Sequence, residues 1–101
     1  MPRLKKHLDN ETFLNRILTD KERALYDALN TDQRKLEFLS GRYAAKEAFS
    51  KAKGTGIGTV DFKDYEVLKD ELGKPVASLG NVSISHDEDY AMAVVILNGE
   101  V

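Results

Sequence analysis

Apolar residues in the first half of the chain recur every three or four positions, and in the second half every two. Residues 2–9 place Leu4 and Leu8 one turn apart, which predicts a short basic helix. Thr19-Asp20-Lys21-Glu22 is a hydroxyl followed three residues later by a glutamate, the capping box that opens a helix. That helix is expected to run through about Leu29, with Ala24, Leu25, Ala28 and Leu29 as its apolar side. Thr31 caps the next helix, predicted from Asp32 to Lys53 with Gly54 as its stop. Its expected buried face is Leu36, Leu39, Tyr43, Ala44, Ala48 and Ala52. Gly41 in the middle costs up to about 1 kcal/mol relative to alanine, which points to a close packing contact there. After Gly54 the period changes, and Gly54-Thr55-Gly56-Ile57-Gly58 reads as a flexible loop. Tyr65–Lys69 and Val76–Leu79 read as strands joined through Gly73-Lys74-Pro75, and Asn81–His86 with Tyr90–Leu97 as an antiparallel hairpin. The expected architecture is a single α+β domain over residues 1–101, helices packed on one face of a small antiparallel sheet.

Composition narrows the function more than the fold. The chain has 101 residues, 42% hydrophobic and 32% charged, enough for one globular core without staples. It has no cysteine, which removes disulfides, thiolate zinc sites, iron–sulfur clusters and cysteine nucleophiles together. No apolar run approaches the roughly 20 residues of a membrane span, and Met1-Pro2-Arg3-Leu4-Lys5-Lys6 has no signal-peptide core behind it. A soluble cytoplasmic domain without a membrane partner is expected. The net charge of -2 is unevenly divided: residues 1–53 hold 12 Lys/Arg against 8 Asp/Glu, and residues 54–101 hold 3 against 9. A basic half suits an anionic partner. It lacks the interleaved aromatics of a nucleic-acid platform, so phosphorylated small molecules or an acidic protein surface fit better than DNA or RNA.

Among the residues able to carry chemistry, Glu47 and Lys51 stand four apart and share a helix face. Spacing alone makes them an ordinary exposed pair worth about 0.3–0.5 kcal/mol. A functional reading has the carboxylate hold a hard cation while the ammonium beside it meets a phosphate. Gly54, Gly56 and Gly58 do not form GxGxxG and follow a helix, so no dinucleotide fold is implied, and a helix cap with a connector is the default. Ser85 and His86 are adjacent in a strand, point to opposite faces and cannot act as nucleophile and base to each other. At the mouth of a cleft His86 would donate to a phosphate; His7, on the exposed face of the first helix, has no assigned role.

The order of the motifs adds what they lack individually. Phe38-Leu39-Ser40-Gly41-Arg42-Tyr43-Ala44-Ala45-Lys46-Glu47-Ala48-Phe49-Ser50-Lys51-Ala52 is followed by the Gly54–Gly58 loop and then Gly73-Lys74-Pro75. Ser83-Ile84-Ser85-His86 and Tyr90-Ala91 come after these, and Phe13–Thr19 precedes them. Over nearly its whole length this arrangement resembles the holo-acyl-carrier-protein synthases, the short class of 4′-phosphopantetheinyl transferases.

The resemblance implies Mg²⁺-dependent transfer of 4′-phosphopantetheine from coenzyme A to a serine of apo-acyl carrier protein, releasing adenosine 3′,5′-bisphosphate. It implies a homotrimer with an active site at each subunit interface. It makes Glu47 the metal ligand and places Lys51 on the coenzyme A phosphates, with Glu47 and Lys51 as the catalytic pair. Gly54, Gly56, Pro75, Ser85 and His86 are expected along the coenzyme, and Arg42 and Lys46 with them in the motif helix. Arg3, Lys5, Lys6 and Arg16 are the expected docking surface for an acidic carrier-protein helix. The family also begins with a Gly-Ile-Asp strand whose aspartate is a second metal ligand, and this chain, starting at Met1-Pro2, is expected to lack it. Asp61, Asp64 and Asp87–Asp89 could stand in by residue type only. The alternative function is therefore a catalytically silent domain that binds coenzyme A or carrier protein without organising Mg²⁺.

Overall fold

The computed structural model describes residues 2–54, 61–87 and 90–97, with the side chains of Pro2 and Arg3 outside that description. Four helices come first: α1 (Pro2–Lys5), α2 (Glu11–Ile17), α3 (Asp20–Asp27) and α4 (Asp32–Lys53). A 3₁₀ turn at Phe62–Asp64 leads into β1 (Val67–Lys69), β2 (Pro75–Ala77), β3 (Asn81–His86) and β4 (Ala91–Ile96). The strands form two antiparallel hairpins, β1–β2 and β3–β4, instead of one continuous sheet. The second hairpin is antiparallel as expected, with Asn81 opposite Ile96 and His86 opposite Ala91. The first strand starts two residues later than expected, after the turn at Phe62–Asp64; the second runs Pro75–Ala77 instead of Val76–Leu79, ending before the turn at Gly80; and the fourth is one residue shorter at each end.

Local signals set most element ends. Thr19 accepts from the Glu22 N–H while the Glu22 side chain accepts from the Thr19 N–H, the reciprocal capping box. Thr31 caps α4 by accepting from the Arg34 N–H, and Gly54 ends it at φ 83°, left-handed as glycine allows. The first helix is shorter than expected, continuing past Lys5 only as turns through Asp9. Helix α2 was not predicted; Asn10 caps it by accepting from Phe13 N–H, and its seven residues bury Leu14 and Ile17. A helix so short shows too few repeats for periodicity to register.

Two expected helix faces are corrected. In α3 the buried residues are Glu22 and Tyr26, while Ala24 and Ala28 are exposed. In α4 Ser40, Gly41, Arg42, Ala45, Lys46, Phe49 and Ser50 are buried with Leu36 and Leu39, and Ala52 is exposed. Both helices are rotated toward charged residues, because those charges are paired inside. Lys46 Nζ donates to Glu22 Oε1 at 2.8 Å, to the Phe62 carbonyl at 2.8 Å and to the Tyr65 carbonyl at 2.7 Å. Glu22 also accepts from the N–H groups of Thr19 (2.9 Å) and Val67 (2.8 Å). Arg42 donates to the carbonyls of Val67 (3.1 Å) and Leu68 (3.0 Å) and lies over the Phe38 ring. Glu22 and Arg42 thus bond the backbone of β1 from the helices, and Lys46 bonds the carbonyls that precede it.

The apolar core has two lobes. Leu8, Leu14, Ile17, Leu18, Tyr26, Leu36 and Leu39 join the helices, and Ala45, Phe49, Tyr65 and Val67 seat α4 on the hairpins. Gly41 is the close contact its position predicted: a β-carbon there would stand 3.0 Å from Ile84 Cγ2. Gly80 is more constrained, with φ 63° and a β-carbon position overlapping the Ile96 carbonyl. Gly80→Ala is expected to lower stability by about 1–3 kcal/mol in urea denaturation. An unchanged midpoint would mean that the turn relaxes away from Ile96.

Candidate functional site

Helix α4 presents different residues on its two flanks, and a concavity lies against each. One has a volume of about 410 Å³ and is walled by Leu4, His7, Phe13, Tyr43, Ala44 and Ala91, with Lys6, Ser40 and Glu47 as further polar groups. The other, of about 260 Å³, is lined by Arg34, Glu37, Phe38 and Arg42 from α4, Lys69 from β1, Gly73 and Pro75 from the following turn, and Ile84 and His86 from β3. Five residues separate Arg42 from Glu47, a rotation of about 140° around the helix axis. The two sets of side chains therefore face away from each other within one chain.

Glu47 is half-buried and makes no hydrogen bond or ion pair among the described residues. Its carboxylate is thus uncommitted. In the same wall the Ser40 hydroxyl is buried without a hydrogen-bond partner, so a water or ligand in the cavity would satisfy it. His7, expected on an exposed helix face, is instead half-buried, stacked on Phe13 with ring centroids 4.1 Å apart, and faces this cavity. A hard cation such as Mg²⁺ fits Glu47, because it is commonly held by one or two carboxylates and completes its shell with water and substrate phosphates. No cluster of three or more His, Asp or Glu suited to a metal occurs among the described residues. Lys51 is exposed one turn beyond Glu47, on the way to the Gly54 cap.

The cationic cleft gathers Arg42, Pro75 and His86 as expected candidates and adds Arg34 and Lys69, which the sequence reading missed. Arg34, Phe38 and Arg42 follow each other at four-residue steps, so a basic-aromatic stripe on α4 was available as a signal. Nothing in the sequence places Lys69 there, since only the β1–β2 turn brings it beside the helix. Burial pushes the Arg42 guanidinium down to about 10, with Glu22 opposing. It remains a cation at neutral pH, held by the β1 carbonyls. His86 Nδ1 lies 3.9 Å from Glu37 Oε2.

Lys46 and Ser85 sit elsewhere. Lys46, expected along the coenzyme, is 1% exposed and commits all three of its protons to Glu22, Phe62 and Tyr65. Its role is internal because an ammonium excluded from water must find three acceptors. Ser85 is exposed and lines neither concavity. Gly56 lies outside the described residues, as does the Arg3 side chain; Lys5, Lys6 and Arg16 are exposed on the helical end.

A family model of the 4′-phosphopantetheinyl transferase superfamily matches residues 2–95. A holo-[acyl-carrier-protein] synthase of a Geobacillus species is 50% identical over 97 residues, covering 89% of this chain and 81% of the relative. The structure of a holo-(acyl-carrier-protein) synthase from Bacillus anthracis in complex with CoA (3′,5′-ADP) is 45% identical, with a TM-score of 0.80 over 91% of this chain and 83% of that one. That of the Helicobacter pylori synthase in complex with coenzyme A is 29% identical, with a TM-score of 0.76 over 94% and 92%. The chain belongs to the 4′-phosphopantetheinyl transferase superfamily and, within it, to the holo-[acyl-carrier-protein] synthase enzymes.

Proposed function

We propose that this chain transfers 4′-phosphopantetheine from coenzyme A to a serine of apo-acyl carrier protein in an Mg²⁺-dependent reaction in the cytoplasm. The observation that carries the reading is the division of phosphate-handling groups between two flanks of α4. One chain cannot present Glu47 and the Arg42–His86 cleft to a single coenzyme A, whereas two neighbouring chains can. The β4 residues Met92, Val94 and Ile96 are 55–57% exposed, an apolar face suited to contact with other copies. Together these support a homotrimer with each active site shared between subunits.

In that assembly the cationic cleft of one subunit holds the coenzyme's nucleotide phosphates, with Arg42 and His86 donating to them. Glu47 of the next subunit would hold Mg²⁺, and the ion would supply positive charge against the pyrophosphate. Lys51 meets the phosphate beside it, and Gly54 lies toward the coenzyme. The bond formed joins the serine oxygen to the phosphorus bearing pantetheine; the bond broken joins that phosphorus to the oxygen leaving with adenosine 3′,5′-bisphosphate. Lys5, Lys6 and Arg16 form the exposed basic surface for the acidic carrier, with Arg3 assigned by family pattern alone.

The test is the intact mass of apo-acyl carrier protein after incubation with the chain, coenzyme A and Mg²⁺. A gain of one phosphopantetheine, abolished by EDTA, is expected. Val94→Glu is expected to yield monomers in native mass spectrometry and at least about a tenfold loss of transfer, since a buried unpaired carboxylate opposes assembly. A trimer that persists with this substitution would place the interface elsewhere.

A second reading is favoured by one observation: Glu47 is the only carboxylate among the described residues of its cavity. On that reading the chain binds coenzyme A but cannot organise Mg²⁺ unless an aspartate is supplied beside Glu47. Calorimetry would then show coenzyme A binding unaffected by Mg²⁺. Adding an N-terminal Gly-Ile-Asp segment would restore transfer.

A further inference from the structure

We propose that the cavity beside Glu47 holds the pantetheine arm of coenzyme A, with Ser40 and His7 as the residues that bind it. The inference rests on the reading of this chain as a phosphopantetheinyl transferase with the reacting phosphate at Glu47. Ser40, Ala44 and Glu47 follow each other at steps of four and three residues along α4, so they share one helix face and line one cavity. Seven residues of helix put Ser40 about 10 Å from Glu47 along the axis. Ser40 is 5% exposed, and its hydroxyl has no hydrogen-bond partner. A hydroxyl withdrawn from water in this way is costly until a bound group completes it.

His7 supplies a second polar contact of fixed sense. Asn10 Oδ1 accepts from the Phe13 N–H at 3.1 Å, which leaves Asn10 Nδ2 to face His7 Nδ1 at 3.4 Å. An amide nitrogen only donates, so Nδ1 accepts and the neutral ring carries its proton on Nε2. Stacking on Phe13, with 12° between the rings, holds the imidazole plane in the cavity wall. The rest of the wall is apolar or aromatic: Leu4, Phe13, Tyr43, Ala44 and Ala91. The arm has the matching order of groups. Outward from its phosphorus it runs through a dimethyl carbon to a hydroxyl and then to amides. With the phosphorus at Glu47, the dimethyl carbon meets Ala44 and Tyr43, and the oxygens beyond it accept from Ser40 and His7. An extended chain covers about 3.5 Å per peptide-sized unit, so the span from Glu47 to Ser40 carries it from phosphorus to amides. Arm and nucleotide then lie on different subunits, and the bisphosphate leaves without disturbing the group that has been transferred.

The experiment is calorimetry of the whole chain with Mg²⁺ and two ligands: coenzyme A, and adenosine 3′,5′-bisphosphate, which lacks the arm. The parent is expected to bind coenzyme A more tightly. Ser40→Ala and His7→Phe, which keeps the stack on Phe13, are each expected to weaken coenzyme A about threefold to tenfold and to leave the bisphosphate unchanged. Ser40 has no partner to lose, so Ser40→Ala should not lower the thermal unfolding midpoint, which separates binding from folding. Equal losses for both ligands would put the nucleotide in this cavity and overturn the proposal. Unchanged coenzyme A affinity in both variants overturns it as well, and a raised KM for apo-acyl carrier protein would then assign the cavity to a side chain of the carrier. A parent that binds neither ligand would instead remove the transferase reading on which the proposal rests.

Discussion

Lys46→Met is expected to destabilise the fold by about 3–5 kcal/mol, read as a fall in the urea midpoint without loss of cooperativity. The substitution matches the lysine stem in length and leaves the packing volume nearly unchanged. What it removes is the ammonium facing Glu22, whose side chain is 0% exposed. The carboxylate keeps its two backbone donors, from Thr19 and Val67, but loses its counter-charge. The carbonyls of Phe62 and Tyr65 lose a donor at the same time. Burial holds Lys46 below the ordinary lysine range, with Glu22 pulling the other way, so the pair is maintained against a desolvation penalty. For that reason the double change Lys46→Met with Glu22→Gln should recover much of the loss, since no lone charge remains inside. The exposed pair Arg23–Glu11, at 2.7 Å with Glu11 68% exposed, sets the contrast: breaking it should shift the urea midpoint far less. A loss below about 1 kcal/mol for Lys46→Met would mean that Glu22 takes up a proton or that water reaches the pair.

Glu47→Gln is expected to lower transfer at least about a hundredfold while leaving the thermal unfolding midpoint in place. The two readouts separate because Glu47 is half-buried and has no partner among the described residues to lose. Glutamine keeps the shape and removes the charge that a divalent cation requires. The remaining activity should need higher Mg²⁺ for half-saturation, while the affinity for adenosine 3′,5′-bisphosphate, assigned to the other flank of α4, should change little. Transfer at the parental rate would remove Glu47 as a metal ligand. A parallel collapse of nucleotide affinity would place both flanks in one site on a single chain.

The helix caps and the final hairpin were legible because their signals are local. Thr19 with Glu22, Thr31, and Gly54 act within one turn of themselves, and the alternation in Asn81–His86 needs only its own strand and its partner. Gly41 was legible for a similar reason: a glycine inside a long helix is unfavourable unless something presses against it, and Ile84 does. Helix α2 was not, since seven residues contain too little repetition. The motif helix identified the family through residue identities in order, and that information survives without any structure.

The roles inside the motif helix were a different matter. Arg42, Lys46 and Glu47 are equally polar letters on one segment, and helical spacing alone does not say which of them meets solvent. Packing against α3 and β1 draws Lys46 onto Glu22 and Arg42 onto the β1 carbonyls, and leaves Glu47 uncommitted in its cavity. The same packing puts Lys69 beside Arg34 and Glu37 beside His86, pairs separated by 35 and 49 positions along the chain. Charge, caps, period and family lie in the order of residues. Which charges are paired inside and which face a ligand depends on distances between elements that no local pattern encodes, because a buried charge is stable only where the fold supplies its partner.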